Sequence, residues 1–478
     1  MMEIVLAALP AVAVLLLLLR SVRVHALYVL VAVAAISAAI ALAVAVLPPD
    51  QPVSLSGLVR VDAISRLFLA VINTIFLGVS VYVFHRVHTT PVLRSGIGRF
   101  VALALAFLAA SNAVLVANHL LALWIALEAS ALAATPLIVR STVLASRRAS
   151  WHYLLFSSVA LAVVLLGISC LGRGMATSGQ LPTYFIDELL ARGQTPTDRW
   201  TQLGVALIVL GLGTKLGLAP MYSWLPETYD ESPPAVAALL GAVQFNCVLV
   251  VLFRVVEIYR PSHSGLLSGE LLTMGLASMV VSTVSIIATR NIKRLIAYAS
   301  INHAGVIAIG LGVGASASYG VLLYVLSNAF IKAILFLTAG NIKAHYHTSD
   351  ARVISGLIKD LPYSGLFLMV GTFALLGLPP FGSFFGELLV LSSLVGSGQV
   401  IVFGTFCVLI TMTFVATGRT VFPMIWGEPK ATHDWPRQTL LGALPKLVFL
   451  AVLVVLGVYI PSAINSLIQQ ASTSVGGS

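Results

Sequence analysis

Two carboxylates and two ammonium groups stand in stretches that are otherwise almost wholly apolar. Glu128 lies in Leu123-Trp124-Ile125-Ala126-Leu127-Glu128-Ala129-Ser130, Lys215 in Gly213-Thr214-Lys215-Leu216, Lys332 in Ala329-Phe330-Ile331-Lys332-Ala333, and Glu387 just after Gly386. Burial favours the neutral form of such a group, and a nearby opposite charge favours the ionised form. A lysine whose acidic partner moves away therefore gives up a proton, and one whose partner approaches keeps it. Two acids and two bases on four separate segments fit a proton relay better than a single structural clamp. His303, in Ser300-Ile301-Asn302-His303-Ala304-Gly305, extends the relay because imidazole changes charge near neutrality. Glu227, Asp230 and Glu231 follow closely on Lys215 and form a candidate solvated cytoplasmic mouth.

Other chemistry has no residues to run on. Cys170, Cys247 and Cys407 are far apart, with neither metal-ligand nor redox spacing. No Gly-x-Gly-x-x-Gly fingerprint and no evident haem-ligand set occurs. No metal site and no cofactor is expected in this chain.

The elements that must position these groups follow from composition. Of 478 residues only 9% are charged and 59% are hydrophobic, against roughly 25% and ~45–50% for a soluble domain. So few charges cannot cover a water-exposed surface, and lipid must be the solvent. Apolar runs of spanning length occur at about 4–19, 24–47, 63–84, 98–117, 120–139, 151–171, 202–220, 234–257, 268–289, 292–314, 318–340, 364–394, 399–425 and 441–463. The expected fold is an all-α polytopic membrane protein of about fourteen transmembrane helices. The first run has no convincing cleavage site and reads as an uncleaved span.

The formal net charge of +10 reports topology rather than nucleic-acid binding. Arg60, Arg66, Arg173, Arg192, Arg199, Arg254 and Arg260 fall on one side of the alternating spans. Almost all the remaining Lys and Arg, Lys430, Arg437 and Lys446 among them, fall on the other. The richer side is expected to face the cytoplasm, with both termini outward in a cell inner membrane. Lys215 and Lys332 remain inside spans. A charge at the bilayer centre costs at least ~2.5–3.5 kcal/mol, so these positions default to function.

Two spans are interrupted by proline. Gly217-Leu218-Ala219-Pro220 precedes Ser223-Trp224 and Glu227; Gly377-Leu378-Pro379-Pro380 precedes Ser383-Phe384 and Glu387. The two segments match at an offset of 160 residues. Pro220, Pro379 and Pro380 thus mark discontinuous helices 7 and 12, each the fourth of five spans. Five-helix units are necessarily inverted relative to each other, as in transporters with broken helices. The expected organisation is an N-terminal three-helix segment at 1–97, a first repeat at 98–257, a second repeat at 268–425, and a final helix with a short tail at 441–478.

Gly211-Leu212-Gly213-Thr214-Lys215-Leu216-Gly217-Leu218-Ala219-Pro220, Trp224-Leu225-Pro226-Glu227, Asn291-Ile292-Lys293-Arg294-Leu295, Ala329-Phe330-Ile331-Lys332 and Gly377-Leu378-Pro379-Pro380-Phe381-Gly382 come in order between about 120 and 390. Together they resemble the antiporter-like membrane subunits of complex I, the Mrp antiporters and group 4 hydrogenases. Leu123-Trp124, Trp151-His152-Tyr153-Leu154 and Asn246-Cys247 look closest to the hydrogenase-4 component F type. The resemblance implies a proton-translocating subunit of a multi-subunit redox complex, such as a hydrogenase, formate hydrogenlyase or NADH-quinone oxidoreductase. Electron transfer would occur in other membrane and peripheral subunits, where iron–sulfur, nickel or flavin centres are expected, so the chain would be a non-catalytic partner. The alternative is a cation/proton antiporter subunit or the membrane partner of an inorganic-carbon uptake complex. The resemblance makes Glu128 the key glutamate, Lys215 its partner, Lys332 the central relay, His303 its extension and Glu387 the terminal group. Asn246 stands where complex I relatives often carry lysine, and Tyr324 and Asn328 where histidines are frequent. Water is therefore expected to bridge part of the path.

Overall fold

In the computed structural model the described residues are 2–46, 57–90, 94, 96–140, 143–428 and 439–476. Lys430 and Arg437 lie outside them. With no water to satisfy the backbone in the hydrocarbon core, each segment must bond within itself. Accordingly, the described residues are helical, with only the isolated bridges Val59–Ala117, His119–Phe185 and Asn291–Asp350.

Among the described residues, 10 helices are long and apolar enough to cross a membrane. Burial separates centre from periphery. The most apolar stretches of Pro234–Ala288 and Ala315–Tyr346 are 100% buried, whereas that of Val400–Trp426 is only 22% buried and presents its side chains to the surroundings. Ile4–Leu16, Pro362–Leu375 and Gly382–Gly396 are shorter apolar helices.

Small residues bring the central helices into close contact, as expected where apolar surface alone gives no driving force between helices. A Cβ on Gly275 would lie 2.8 Å from the Gly305 carbonyl oxygen, and one on Gly211 2.6 Å from the Ala160 carbonyl oxygen. The second contact pins the helix Arg199–Leu216, which carries Lys215, against Leu144–Thr177.

Both proline segments interrupt their helices. Arg199–Leu216 ends at Gly217 (φ +79°) and the chain resumes as Trp224–Glu231. Pro362–Leu375 gives way to Gly377 (φ +63°), and the chain resumes as Gly382–Gly396. The Ala219–Pro220 and Pro379–Pro380 peptide bonds are both cis.

The expected spans 234–257 and 268–289 form two helical arms that part at His263 (φ −132°, ψ 30°). Their far ends come together, where the Ser232 carbonyl oxygen accepts from Lys293 Nζ at 3.0 Å. Pro261 explains the break, since it lacks an N–H and crowds the preceding turn. A one-turn π-helix, Leu240–Gln244, widens the first arm. The short tail is in fact another helix, Ser462–Gly476, which buries Leu467, Ile468, Ala471 and Val475 and receives a 2.7 Å hydrogen bond at Asn465 Oδ1 from Tyr319 Oη.

Candidate functional site

Glu128 projects from the helix Leu120–Ile138 toward Leu144–Thr177, where Ser158 Oγ donates to its Oε1 at 2.8 Å. Its Oε2 is buried with no protein partner. Lys215 is 5% exposed, and its Nζ donates to Ser157 Oγ at 2.5 Å. Among the described residues no direct Glu128–Lys215 ion pair forms. The acid and the base meet instead through two consecutive serines on the helix between them. Neither serine stands out in the sequence, because an isolated serine in an apolar helix carries no spacing signal.

The first break lies directly against this pair. Interrupting a helix frees carbonyl and N–H groups that must be satisfied inside the protein. Trp224 Nε1 donates to the Thr214 carbonyl oxygen at 3.0 Å, and Ser278 Oγ accepts from the Ala219 N–H at 2.8 Å. The Trp224 ring packs on Tyr153, with centroids 5.6 Å apart, and the buried Tyr153 Oη has no partner. The backbone around Pro220 is therefore clamped by side chains from two other helices.

Further along, Ser130, two residues beyond Glu128, accepts a 3.0 Å hydrogen bond from Gln244 Nε2. Gln244 closes the π-helical turn, and the next residue, Phe245, carries Lys332 Nζ over its ring at 3.4 Å from the centroid. A cation over an aromatic face is stabilised without a hydrogen bond. Lys332 is 1% exposed, and its Nζ has no hydrogen-bond partner. Asn246 donates to the Ala242 carbonyl oxygen at 2.5 Å and leaves its Oδ1 unpaired. The neutral amide at this position thus stays within its own helix.

His303 sits at the second break. Its Nε2 is 3.1 Å from the Leu375 carbonyl oxygen, at the end of Pro362–Leu375. A carbonyl only accepts, so Nε2 carries the hydrogen and the buried, unpaired Nδ1 is left as the acceptor. Ser383 Oγ satisfies the neighbouring Ala374 carbonyl at 2.7 Å. The Tyr324 ring meets the imidazole edge-on at 5.5 Å, and Asn328 donates to the Tyr324 carbonyl at 2.9 Å. Glu387 folds back on its own break: a Cβ on Gly377 would lie 2.7 Å from Glu387 Oε2. Only glycine both adopts that positive φ and leaves room for the carboxylate.

The three acids after the first break are held by bases. Glu227 Oε2 is 2.7 Å from His152 Nδ1, Glu231 Oε2 is 3.0 Å from Arg140 Nη2, and Asp230 Oδ2 is 2.9 Å from Arg294 Nε. Asp230 is only 4% exposed, and its backbone oxygen caps the ammonium of the buried Lys293. Asp230 and Glu231 line an open cavity of about 750 Å³ with Arg290, Arg294, Lys343 and Asp350, whereas Glu227 is not among its lining residues. Hydrogen bonds from Arg352 hold the Asp350 carboxyl down to about 2.

Other buried charges have the sequence pattern of topology markers. Lys293 and Lys446 are each 1% exposed, and Lys446 Nζ stands 4.9 Å from the Phe367 ring centroid. Arg254 is bidentate to Asp62 and bonds Glu257 Oε2 at 3.1 Å, and Arg60 joins this cluster to Asp187 at 3.0 Å. Among the described residues no cluster of His, Cys, Asp and Glu could hold a metal ion.

A helical membrane protein with two broken helices and a sparse row of buried acids and bases has the groups needed to carry ions. Residues 117–413 match the family described as NADH:quinone oxidoreductase/Mrp antiporter, TM. The hydrogenase-4 component F homolog of Methylacidiphilum infernorum (isolate V4) is 30% identical over 380 residues, covering 77% of each chain. A Na(+)/H(+) antiporter protein of Bacillus subtilis (strain 168) is 26% identical over 353 residues, covering 73% of this chain and 70% of the relative. A chain of the membrane-bound sulfane sulfur reductase, an archaeal respiratory membrane complex, shares the fold with a TM-score of 0.88 at 21% identity, covering 99% of this chain and 97% of that one. The protein belongs to the NADH:quinone oxidoreductase/Mrp antiporter transmembrane family and is a polytopic, antiporter-like membrane subunit.

Proposed function

We propose that this chain is the proton-translocating membrane subunit of a multi-subunit redox complex of the hydrogenase, formate hydrogenlyase or NADH-quinone oxidoreductase kind, moving protons in response to electron transfer in partner subunits. The observation that carries the reading is the Glu128–Ser158/Ser157–Lys215 junction packed against a broken helix. A proton shared between the acid and the base changes the charge on both at once. Any displacement of the break changes how closely they interact.

In this reading Glu128 and Lys215 form the input pair, Lys332 and His303 the relay, and Glu387 the terminal group. Pro220, Pro379 and Pro380 mark the two helix breaks beside these groups. Buried polar atoms with no protein partner lie along the way, at Glu128 Oε2, Gln244 Oε1, Lys332 Nζ, His303 Nδ1 and Asn328 Oδ1. Such groups need partners of their own, and bridging water supplies them. Asp230 and Glu231 open to the cytoplasm through the cavity beside them. Counting each broken helix once, and Pro234–Ala288 as two spans about its bend, gives fourteen crossings in two inverted five-helix repeats, at 98–257 and 268–425. Both termini then lie on the outer side of a cell inner membrane. Iron–sulfur, nickel or flavin centres belong to the partners.

The likeness to a Na(+)/H(+) antiporter protein supports a second reading, as a cation/proton antiporter subunit. Isolation of the native complex and identification of its subunits tests the choice. Co-purifying iron–sulfur and hydrogenase or quinone-module subunits support the first reading. A complex of small antiporter subunits alone supports the second and overturns the first.

A further inference from the structure

Beside the Glu128–Lys215 junction, but outside it, lies a pair that the relay does not use. Two elements stand between Lys215 and the basic face of the molecule: the start of Leu144–Thr177 and the short helix Trp224–Glu231 that follows the first break. Each carries a half-exposed side chain beside buried ones. On Leu144–Thr177, His152 is outward, while Tyr153 and Ser157 are buried; on Trp224–Glu231, Glu227 is outward and Trp224, one turn back, is buried.

The outward residues meet. His152 Nδ1 lies 2.7 Å from Glu227 Oε2, with side chains 32% and 29% exposed. The inward residues meet as well, Tyr153 against Trp224, and Trp224 holds the carbonyl of Thr214, the residue before Lys215. The two elements and the end of Arg199–Leu216 thus form one triangle, whose inner corner is the Ser157–Lys215 contact and whose outer corner is the His152–Glu227 contact.

We propose that His152 and Glu227 are a pH-sensing clamp, positioning residues that tie the docking of the post-break helix, and through it the Ser157–Lys215 contact, to the proton concentration at the basic face. This rests on the reading of Lys215 as a proton carrier. A carboxylate accepts only, so the Nδ1 facing it carries the hydrogen, and the next proton binds at Nε2. The bond is charge-assisted by the carboxylate already, and protonation turns its neutral donor into an imidazolium, adding ion-pair attraction. Loss of that proton relaxes the outer corner of the triangle.

The other charges facing the clamp are accounted for. Arg148, one turn before His152, lies 3.7 Å from Glu227 Oε1 and is 72% exposed. On the next turn of the short helix Asp230 is held by Arg294 and Glu231 by Arg140. Lys215 and Glu128 are the charges on the inner side. Of these side chains His152 is the one imidazole.

The test uses proteoliposomes holding the native complex, with proton flux driven by an imposed membrane potential and followed across the pH range in which imidazole titrates. Wild type is expected to show a single-site inflection. His152→Asn retains one amide donor to Glu227 but does not titrate, and it is expected to assemble, to conduct and to lose the inflection. Glu227→Gln is expected to lose it as well, and the double variant to lose nothing more. A wild-type profile without an inflection, or an inflection that survives in His152→Asn, overturns the clamp. Lys215→Met, run alongside, separates the two readings. Flux persisting in that variant overturns the relay itself, whereas its silence together with an unaltered His152→Asn profile overturns the clamp alone.

Discussion

Glu128 and Lys215 are joined through Ser158 and Ser157, adjacent residues on one intervening helix, and not by a direct ion pair. A direct buried pair is hard to open, because either charge alone would be stranded in low dielectric. Here each charge bonds a serine hydroxyl instead, and a hydroxyl can rotate to donate or accept. Because the serines are consecutive, a small movement of Leu144–Thr177 alters both contacts together.

Replacing Ser157 by alanine removes the hydrogen bond that holds the Lys215 ammonium. A hydrogen bond to a charged group contributes about 1.5–3 kcal/mol, so proton flux should fall roughly tenfold or more while the subunit still assembles. Ser157→Thr keeps the hydroxyl and should recover most of the flux. Vesicle proton-flux assays on the two variants, compared with subunit abundance in the membrane, check this.

Close helix contact at Gly211 sets the reach of Lys215. A side chain there meets the Ala160 carbonyl oxygen at 2.6 Å, and backbone cannot swing aside as a side-chain tip does. Gly211→Val should therefore destabilise the subunit by about 1–3 kcal/mol, the usual penalty of overpacking. Gly404→Val, where a Cβ meets nothing within 4 Å, serves as the control and should be nearly silent. Thermal unfolding in detergent distinguishes the two.

The Asp62–Arg254 pair at the opposite end predicts an acid sensitivity of stability. Burial pushes the Asp62 carboxyl up, but the charge and hydrogen bonds of Arg254, with Arg60 beside it, outweigh burial and leave it well below the usual carboxylate range. A carboxyl depressed in the folded state adds stability that is fully present above its unfolded pKa and is lost as pH falls from there toward the folded value. Thermal stability should therefore decline below about pH 4. Asp62→Asn should remove that decline and, by leaving Arg254 without its main partner, cost on the order of 3–5 kcal/mol at neutral pH.

What the sequence made legible follows from lipid as solvent. Spans stand out because every residue facing hydrocarbon must be apolar, and Glu128, Lys215, Lys332 and Glu387 stand out because charge is scarce there. Proline and glycine announce both breaks, since the chemistry of each residue is local. Lys293, Lys446 and Arg254 pass for topology markers because a basic residue near a span end satisfies the positive-inside pattern whether it is exposed or buried. Ser157, Ser158 and Gln244 leave no trace, because neutral polar residues gain their role only from what a neighbouring helix brings to them.

The central claim is that protons move through the Glu128–Lys215 junction. Its most direct test is proton flux in vesicles carrying the intact complex, comparing wild type with Glu128→Gln and Lys215→Met at equal subunit abundance. Both variants should assemble and abolish flux. Flux at the wild-type rate in both would contradict the account.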